Sequence, residues 1–160
     1  MNSEPVAMST VIVAIHDLIV ESVRRMAPIA RKTLLGSGSH IPTAILHTMS
    51  GLFPIIIPYE TPEQKKMLVE YVKKEAIERH AFAVTTITNS SIIDCRTGMG
   101  EEALVFATSI QGGLPYVVIQ KYTRNELGAI ANFHDILEGD DAAIIGQMII
   151  FPDWDLENEH

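Results

Sequence analysis

The stretch that decides the fold runs from Leu52 to Asn89 and reads LFPIIIPYE, TPEQKKMLVEYVKKEAIERH and AFAVTTITN. It joins an apolar run, a segment with helical periodicity and a second run that is rich in β-branched residues. An amphipathic helix must bury its apolar face against another element, and the runs on either side of it supply strands. The stretch therefore predicts a helix packed on a sheet.

The start of this helix is marked by three residues. The Thr61 hydroxyl can accept a hydrogen bond from the free backbone N–H groups of the first turn, and Pro62 suits the first helical position. Gln64 completes a capping box, in which two side chains cap each other's backbone N–H groups. The sequence therefore predicts a helix that begins just after Thr61.

Apolar and charged residues of this helix fall on different faces. The apolar positions recur at spacings of three and four residues and are Met67, Leu68, Tyr71, Val72 and Ala76. The charged positions lie between them and are Glu63, Lys66, Glu70, Lys73, Lys74 and Glu78. This pattern predicts that Leu68 and Val72 lie in the core while Lys73 meets water.

The whole chain has the size and composition of one domain, 1–160. Of its 160 residues, 47% are hydrophobic, which is ample for one core. Residues 1–9 are predicted to be a flexible leader and residues 153–160 an acidic, solvated tail. Trp154 is the exception in this tail, because a large indole is costly to leave in water.

Charge and cysteine content exclude several classes of partner and of compartment. The formal net charge is −8, with 20 acidic and 12 basic residues, which disfavours binding to nucleic acid or to an anionic membrane. The single cysteine, Cys95, excludes an internal disulfide and is compatible with a reducing cytoplasm. The apolar stretch Val11–Val20 is too short to span a bilayer and lacks a basic flank before it. We therefore expect a cytoplasmic protein.

The segment before the central stretch predicts a helix followed by a hairpin. Ser9 or Thr10 could cap a helix that reaches Leu35 and ends at Gly36, with a kink or break at Pro28. Two strand-like runs follow, Thr43–Thr48 and Leu52–Ile57, joined by a turn at residues 49–51. Pro54 assigns one of these strands to a sheet edge or a bulge, because proline cannot donate to a ladder.

The segment after the central helix predicts an antiparallel meander. Residues 82–88 alternate as a strand, residues 89–100 are predicted to be mainly a loop, and Gly112 and Gly113 are predicted to join two strands, 103–111 and 114–124. Residues 129–134 are a further candidate strand. A last strand is predicted at residues 143–151, interrupted by Gly146.

The predicted order is N-terminal helix, β-hairpin, central amphipathic helix and antiparallel β-meander, with the helices packed on one sheet. Helices kept apart from an antiparallel sheet define the α+β class. In outline this order resembles that of profilin-like and roadblock-like modules. No sequence motif accompanies the resemblance, so it implies a topology and no function.

Titratable side chains of several types could converge in one place. The candidate site residues are His40, His47, Asp94, Cys95, Glu101 and Glu102. These are ligand types that zinc accepts, but no H-E-x-x-H or C-x-x-C pair occurs, so neither a metal nor another cofactor is predicted. A nucleophilic Cys95 activated by His40 or His134 is an alternative, although an unreactive thiol is the commoner case.

These observations rank two functions, and a third, small-ligand sensing between the first helix and the sheet, is not separated from the first by the sequence. The first is a non-enzymatic cytoplasmic module that associates with itself or binds a protein partner. A mean hydropathy of +0.18 supports it, because such a value suggests apolar surface buried between subunits of a homo-oligomer. The alternative is a small hydrolase or metal-dependent enzyme with its site near His40, His47 and the 94–102 loop.

Overall fold

The computed structural model describes residues 8–94, 100–113, 115–138 and 145–146. Its elements, in chain order, are α1 Met8–Ser37, β1 Thr43–Thr48, β2 Gly51–Ile56, α2 Pro62–Glu78, β3 Ala83–Asp94, β4 Gly100–Ile110, β5 Tyr116–Arg124, β6 Ile130–Phe133, β7 Leu137–Glu138 and β8 Ile145–Gly146. The predicted α+β class, with helix, hairpin, helix and meander in that order, is confirmed.

All the described strands belong to one antiparallel sheet. Its strand order is β2-β1-β3-β4-β5-β6, with β7 paired to β5 and β8 paired to β3. The connection through α2 therefore places β3 beside β1, on the side away from β2. This leaves β2 as an edge strand, in agreement with the prediction made from Pro54.

The two helices pack on opposite faces of this sheet. On β1, Ala44 and Leu46 join a core cluster with Val72 of α2, whereas Ile45 packs against the cluster formed by α1. Successive side chains of a strand point to opposite faces, so neighbouring residues serve different cores. The α1 cluster is the larger one and includes Leu104 and Phe106 of β4.

Helix α1 differs from its predicted bounds at both ends. It starts at Met8, inside the predicted leader 1–9, and residues 1–7 lie outside the described residues. It continues through Pro28 without a break and ends beyond Gly36. The chain leaves the helix at Gly38, whose φ of 78° is left-handed and whose N–H bonds the Leu34 carbonyl at 2.8 Å.

Helix α2 begins as predicted. The Thr61 hydroxyl accepts from the Gln64 N–H at 3.2 Å, and the Gln64 side chain accepts from the Thr61 N–H at 3.2 Å. Its buried face is narrower than predicted, because Met67 is 72% exposed and Tyr71 50% exposed. The strand residues in the α2 cluster come from β2, β1 and β3 at one edge of the sheet, and neither Met67 nor Tyr71 belongs to that cluster.

The predicted loop at residues 89–100 is wrong in its first half. Strand β3 extends to Asp94 and pairs with β4 from Ala83↔Ile110 to Ile93↔Gly100. Pairing with β4 satisfies backbone groups of Asn89–Ile93, and this long-range contact outweighs the weak strand preference of the serines there. Residues 95–99, the tail 153–160 and most of the predicted strand 143–151 lie outside the described residues.

Candidate functional site

His47 is a core residue in this fold. Its side chain is 2% exposed, and its Nε2 atom lies 2.7 Å from the Thr85 hydroxyl. The Thr85 hydroxyl in turn lies 2.7 Å from the Thr108 hydroxyl, so a hydrogen-bonded chain crosses β1, β3 and β4. Burial lowers the pKa of His47 to about 4, which keeps the ring neutral near pH 7.

A histidine that contacts a hydroxyl is the arrangement that activates a nucleophile in hydrolases. Thr85 and Thr108 are both 0% exposed, however. A substrate has no path to these hydroxyls in this conformation. The chain satisfies polar groups that the core has buried, as buried polar groups generally require.

His40 lies away from His47. It precedes β1, whereas His47 lies near the end of that strand, so the strand separates them by roughly 20 Å. The His40 backbone N–H donates to Asn89 Oδ1 at 2.8 Å, and its Nδ1 atom lies 2.8 Å from the Ile41 carbonyl oxygen. His40 therefore connects the start of β1 to β3 and shares no contact with His47.

Glu102 belongs to an ion-pair cluster centred on Arg124. The guanidinium donates to Glu102 through Nε at 2.8 Å and Nη2 at 3.1 Å, and it also donates to the carbonyls of Gly38 and Gly128 at 3.0 and 2.9 Å. The Tyr122 hydroxyl donates to Glu102 at 3.2 Å. The hydrogen bonds from Arg124 lower the pKa of Glu102. This cluster attaches the segment after α1 to the sheet.

Glu101 points to the other face of the sheet. Its carboxylate lies 2.9 Å from the Lys121 ammonium group. Asp94 ends β3, but its side chain is not among those described, and Cys95 lies outside the described residues. Within the described residues no group of three or more His, Cys, Asp or Glu side chains could hold a metal ion.

One cavity lies beside the β1–β2 turn. Its volume is about 310 Å³, and its lining residues are Thr48, Ser50, Gly51, Leu52, Phe53 and Arg79. The Arg79 guanidinium carbon stacks 3.6 Å from the centre of the Phe53 ring, while its Nε donates to Glu75 at 2.9 Å. Because Glu75 already neutralises this guanidinium, the cavity offers little unpaired positive charge to an anionic ligand.

Strand β2 exposes apolar side chains on the face of the sheet that α1 partly covers. Leu52 is 50% exposed, Ile56 is 61% exposed, and Pro54 between them is also exposed. The strand residues in the α1 cluster come from β1, β3, β4, β5 and β6, and among the described residues none of them lies on β2. We call the exposed side chains of Leu52, Pro54 and Ile56 the hairpin surface.

The hairpin surface lies in an uncharged part of the chain. No Asp, Glu, Lys or Arg occurs between residues 33 and 59, although such residues make up 20% of the whole sequence. Large apolar side chains in this range that are at least about one-third exposed are Leu35, Ile41, Met49, Leu52, Phe53 and Ile56. An exposed apolar surface of this kind is typical of an interaction site.

Comparison of the chain with protein-family models, with curated proteins and with solved structures found no match. Among the described residues, neither helix is long and apolar enough to cross a membrane.

The sequence reasoning missed the hairpin surface and the Arg124 cluster. The uncharged segment 33–59 was visible in the sequence and is the signal that would have found the hairpin surface. No sequence pattern near Arg124 indicated its role, because its partners Gly38 and Glu102 come from distant parts of the chain.

Proposed function

We propose that this protein is a non-enzymatic module that works by associating with a second copy of itself through the hairpin surface. The observation that carries the proposal is the exposure of Leu52, Pro54 and Ile56 on an edge strand that contains no charged residue. Burying each 100 Å² of apolar surface contributes roughly 2.5 kcal/mol to association, before the entropy cost of binding.

Charge favours contact between the hairpin surfaces of two copies over contact between the hairpin surface of one copy and a different surface of the other. Two chains of net charge −8 repel each other, so stable contact requires a region where acidic side chains do not meet. The uncharged segment 33–59 supplies such a region on both copies at once. In an isologous dimer the same patch serves both partners, which is the commonest arrangement of homo-oligomers.

The partner in this proposal is protein, since the negative charge of the chain disfavours nucleic acid and anionic lipid. The proposed compartment is the cytoplasm. The single cysteine, Cys95, fits a reducing environment and gives the chain no internal disulfide to depend on.

Light scattering on the purified protein tests this function. We expect twice the chain mass of 17.7 kDa at micromolar concentration and moderate salt. Ile56→Lys should shift the protein to the monomer, because a buried lysine ammonium in the contact would have no partner. Circular dichroism should show unchanged secondary structure, since Ile56 is already 61% exposed.

Leu127→Lys is the matched control. Leu127 is 93% exposed and lies in the turn between β5 and β6, at the far side of the sheet from β2. This variant adds the same charge and should stay dimeric. A wild-type protein that is strictly monomeric under these conditions, or an Ile56→Lys protein that remains dimeric, would overturn the proposal.

A further inference from the structure

The backbone of β2 has a definite orientation at the sheet edge. The Ile57 N–H donates to the Pro42 carbonyl at 2.8 Å, and the register Thr43↔Ile56 continues from this pair. In an antiparallel ladder, hydrogen-bonded and non-hydrogen-bonded pairs alternate. Leu52, Pro54 and Ile56 therefore occupy the non-hydrogen-bonded positions towards β1, and their backbone groups point away from the sheet.

Pro54 occupies the middle of these three outward positions. A strand from another molecule that extended the sheet would need an N–H donor at residues 52, 54 and 56. Pro54 has no N–H, and its ring carbon fills the space where the carbonyl of the incoming strand would lie. Pro54 removes no hydrogen bond between β2 and β1, because the N–H group that it lacks would point away from β1. It blocks the edge at its centre.

The side chains at the same positions make a different contact possible. Leu52, Pro54 and Ile56 are opposite His47, Ile45 and Thr43 of β1, so they lie on the α1 face of the sheet, in the part of it where they remain exposed. The row is apolar and symmetrical about Pro54. Two copies related by a two-fold axis through Pro54 would place Leu52 of one against Ile56 of the other.

We propose that Pro54 restricts the association of this chain to a closed pair of copies. The two copies meet through the side chains of the hairpin surface, and Pro54 prevents β2 from pairing with a further strand. This inference rests on the proposed function for the partner and adds the residue that limits assembly. An uncharged, apolar edge strand without such a block is a site for open-ended sheet growth.

Pro54→Val tests the inference, because it returns an N–H donor to the edge and adds a β-branched side chain. We expect assemblies larger than the dimer that grow with concentration and time, measured by analytical ultracentrifugation and by thioflavin fluorescence. Pro58→Val is the control, since Pro58 lies after the end of β2 and adds no donor to the strand. It should match the wild type.

A second variant distinguishes sheet extension from misfolding as the cause of the growing assemblies. Ile56 has an outward N–H that β1 does not use, so Pro54→Val combined with Ile56→Pro moves the block by one outward position. This double variant should stop the growth that Pro54→Val starts. Aggregation caused only by misfolding would persist in the double variant and would overturn the inference.

The two proposals fail separately. A Pro54→Val protein with the same mass distribution as the wild type overturns the role of Pro54, whatever the wild-type mass is. A monomeric wild type overturns the proposed function and the closed pair with it, whereas growth of the Pro54→Val protein would still assign the edge block to Pro54.

Discussion

The imidazole of His47 shows how one buried side chain can link the stability of this fold to pH. It is 2% exposed and hydrogen-bonded to Thr85, in a core where a charged ring has no counterion among the described residues. Its ordinary pKa is 6.5 and burial lowers the pKa to about 4. Between these values the unfolded chain binds a proton that the folded chain does not.

We therefore predict that the free energy of unfolding falls as pH drops from about 6.5 to about 4. The pKa of His47 is lowered in the folded state. The contribution of His47 to the free energy of unfolding is therefore fully present above the unfolded pKa of 6.5 and is lost as pH falls towards the folded pKa of about 4. The full loss is roughly 3 kcal/mol. Urea denaturation at a series of pH values would measure it.

His47→Gln removes the titration while leaving an amide that can bond Thr85. Its unfolding free energy should vary less between pH 6.5 and 5 than that of the wild type. Glu102 and Glu138 have pKa values lowered below 4.5 by their arginine partners and so contribute mainly at lower pH. An unchanged slope in His47→Gln would contradict this account.

At the scale of elements, helix α2 is defined by local hydrogen bonds at both ends. Thr61 and Gln64 cap its start. At its end the Ala81 N–H bonds the Ala76 carbonyl at 2.9 Å, and the His80 N–H bonds the Ile77 carbonyl at 3.1 Å. These two bonds form a Schellman motif, in which the residue after the cap is left-handed. That residue is His80, with a φ of 54°.

We predict that His80→Gly stabilises the protein. Glycine adopts a left-handed backbone without the Cβ contact that strains other residues, so the gain should be about 0.5–1 kcal/mol after its larger unfolded-state entropy is counted. Chemical denaturation would measure the change. His80→Ala removes the imidazole but keeps the Cβ atom, so it should show no such gain. If both substitutions changed the free energy of unfolding equally, the cause would be loss of the imidazole ring and the prediction would be wrong.

At the scale of the whole molecule, a negatively charged chain carries an uncharged apolar surface. The net charge of −8 opposes association at long range, while contact through the hairpin surface involves no ion pair. Salt screens the repulsion between exposed charges over about 8–10 Å at physiological ionic strength. Apolar contact is not weakened by this screening.

We therefore predict that the proposed dimer tightens as sodium chloride is raised from low to moderate concentration. Sedimentation equilibrium at several salt concentrations would give the dissociation constants. The Leu127→Lys control should follow the same trend from a tighter starting value, because its net charge is less negative. A dimer that loosens with added salt would show that ion pairs hold the contact, in conflict with the uncharged surface argued above.

The sequence alone determined the features that depend on local interactions. The Thr61 cap and the turn at Gly112 and Gly113 depend on residues that are neighbours in the chain, so each was predictable. Pro54 indicated an edge strand or a bulge, and the strand order decided that β2 is the edge strand. The helix faces were predicted only in part. Val72 is buried as expected, but Met67 is exposed, because the position of α2 at the sheet edge decides which part of its apolar stripe is covered.

The tertiary structure alone decided which distant residues meet. His40 precedes β1 and His47 lies near the end of that strand, and Glu101 and Glu102 point to opposite faces, so these four candidate residues do not converge. The Arg124 cluster and the exposed hairpin surface were decided in the same way. Both depend on strand order and on where α1 lies, and those follow from burying the largest apolar area of the whole chain rather than from any local pattern.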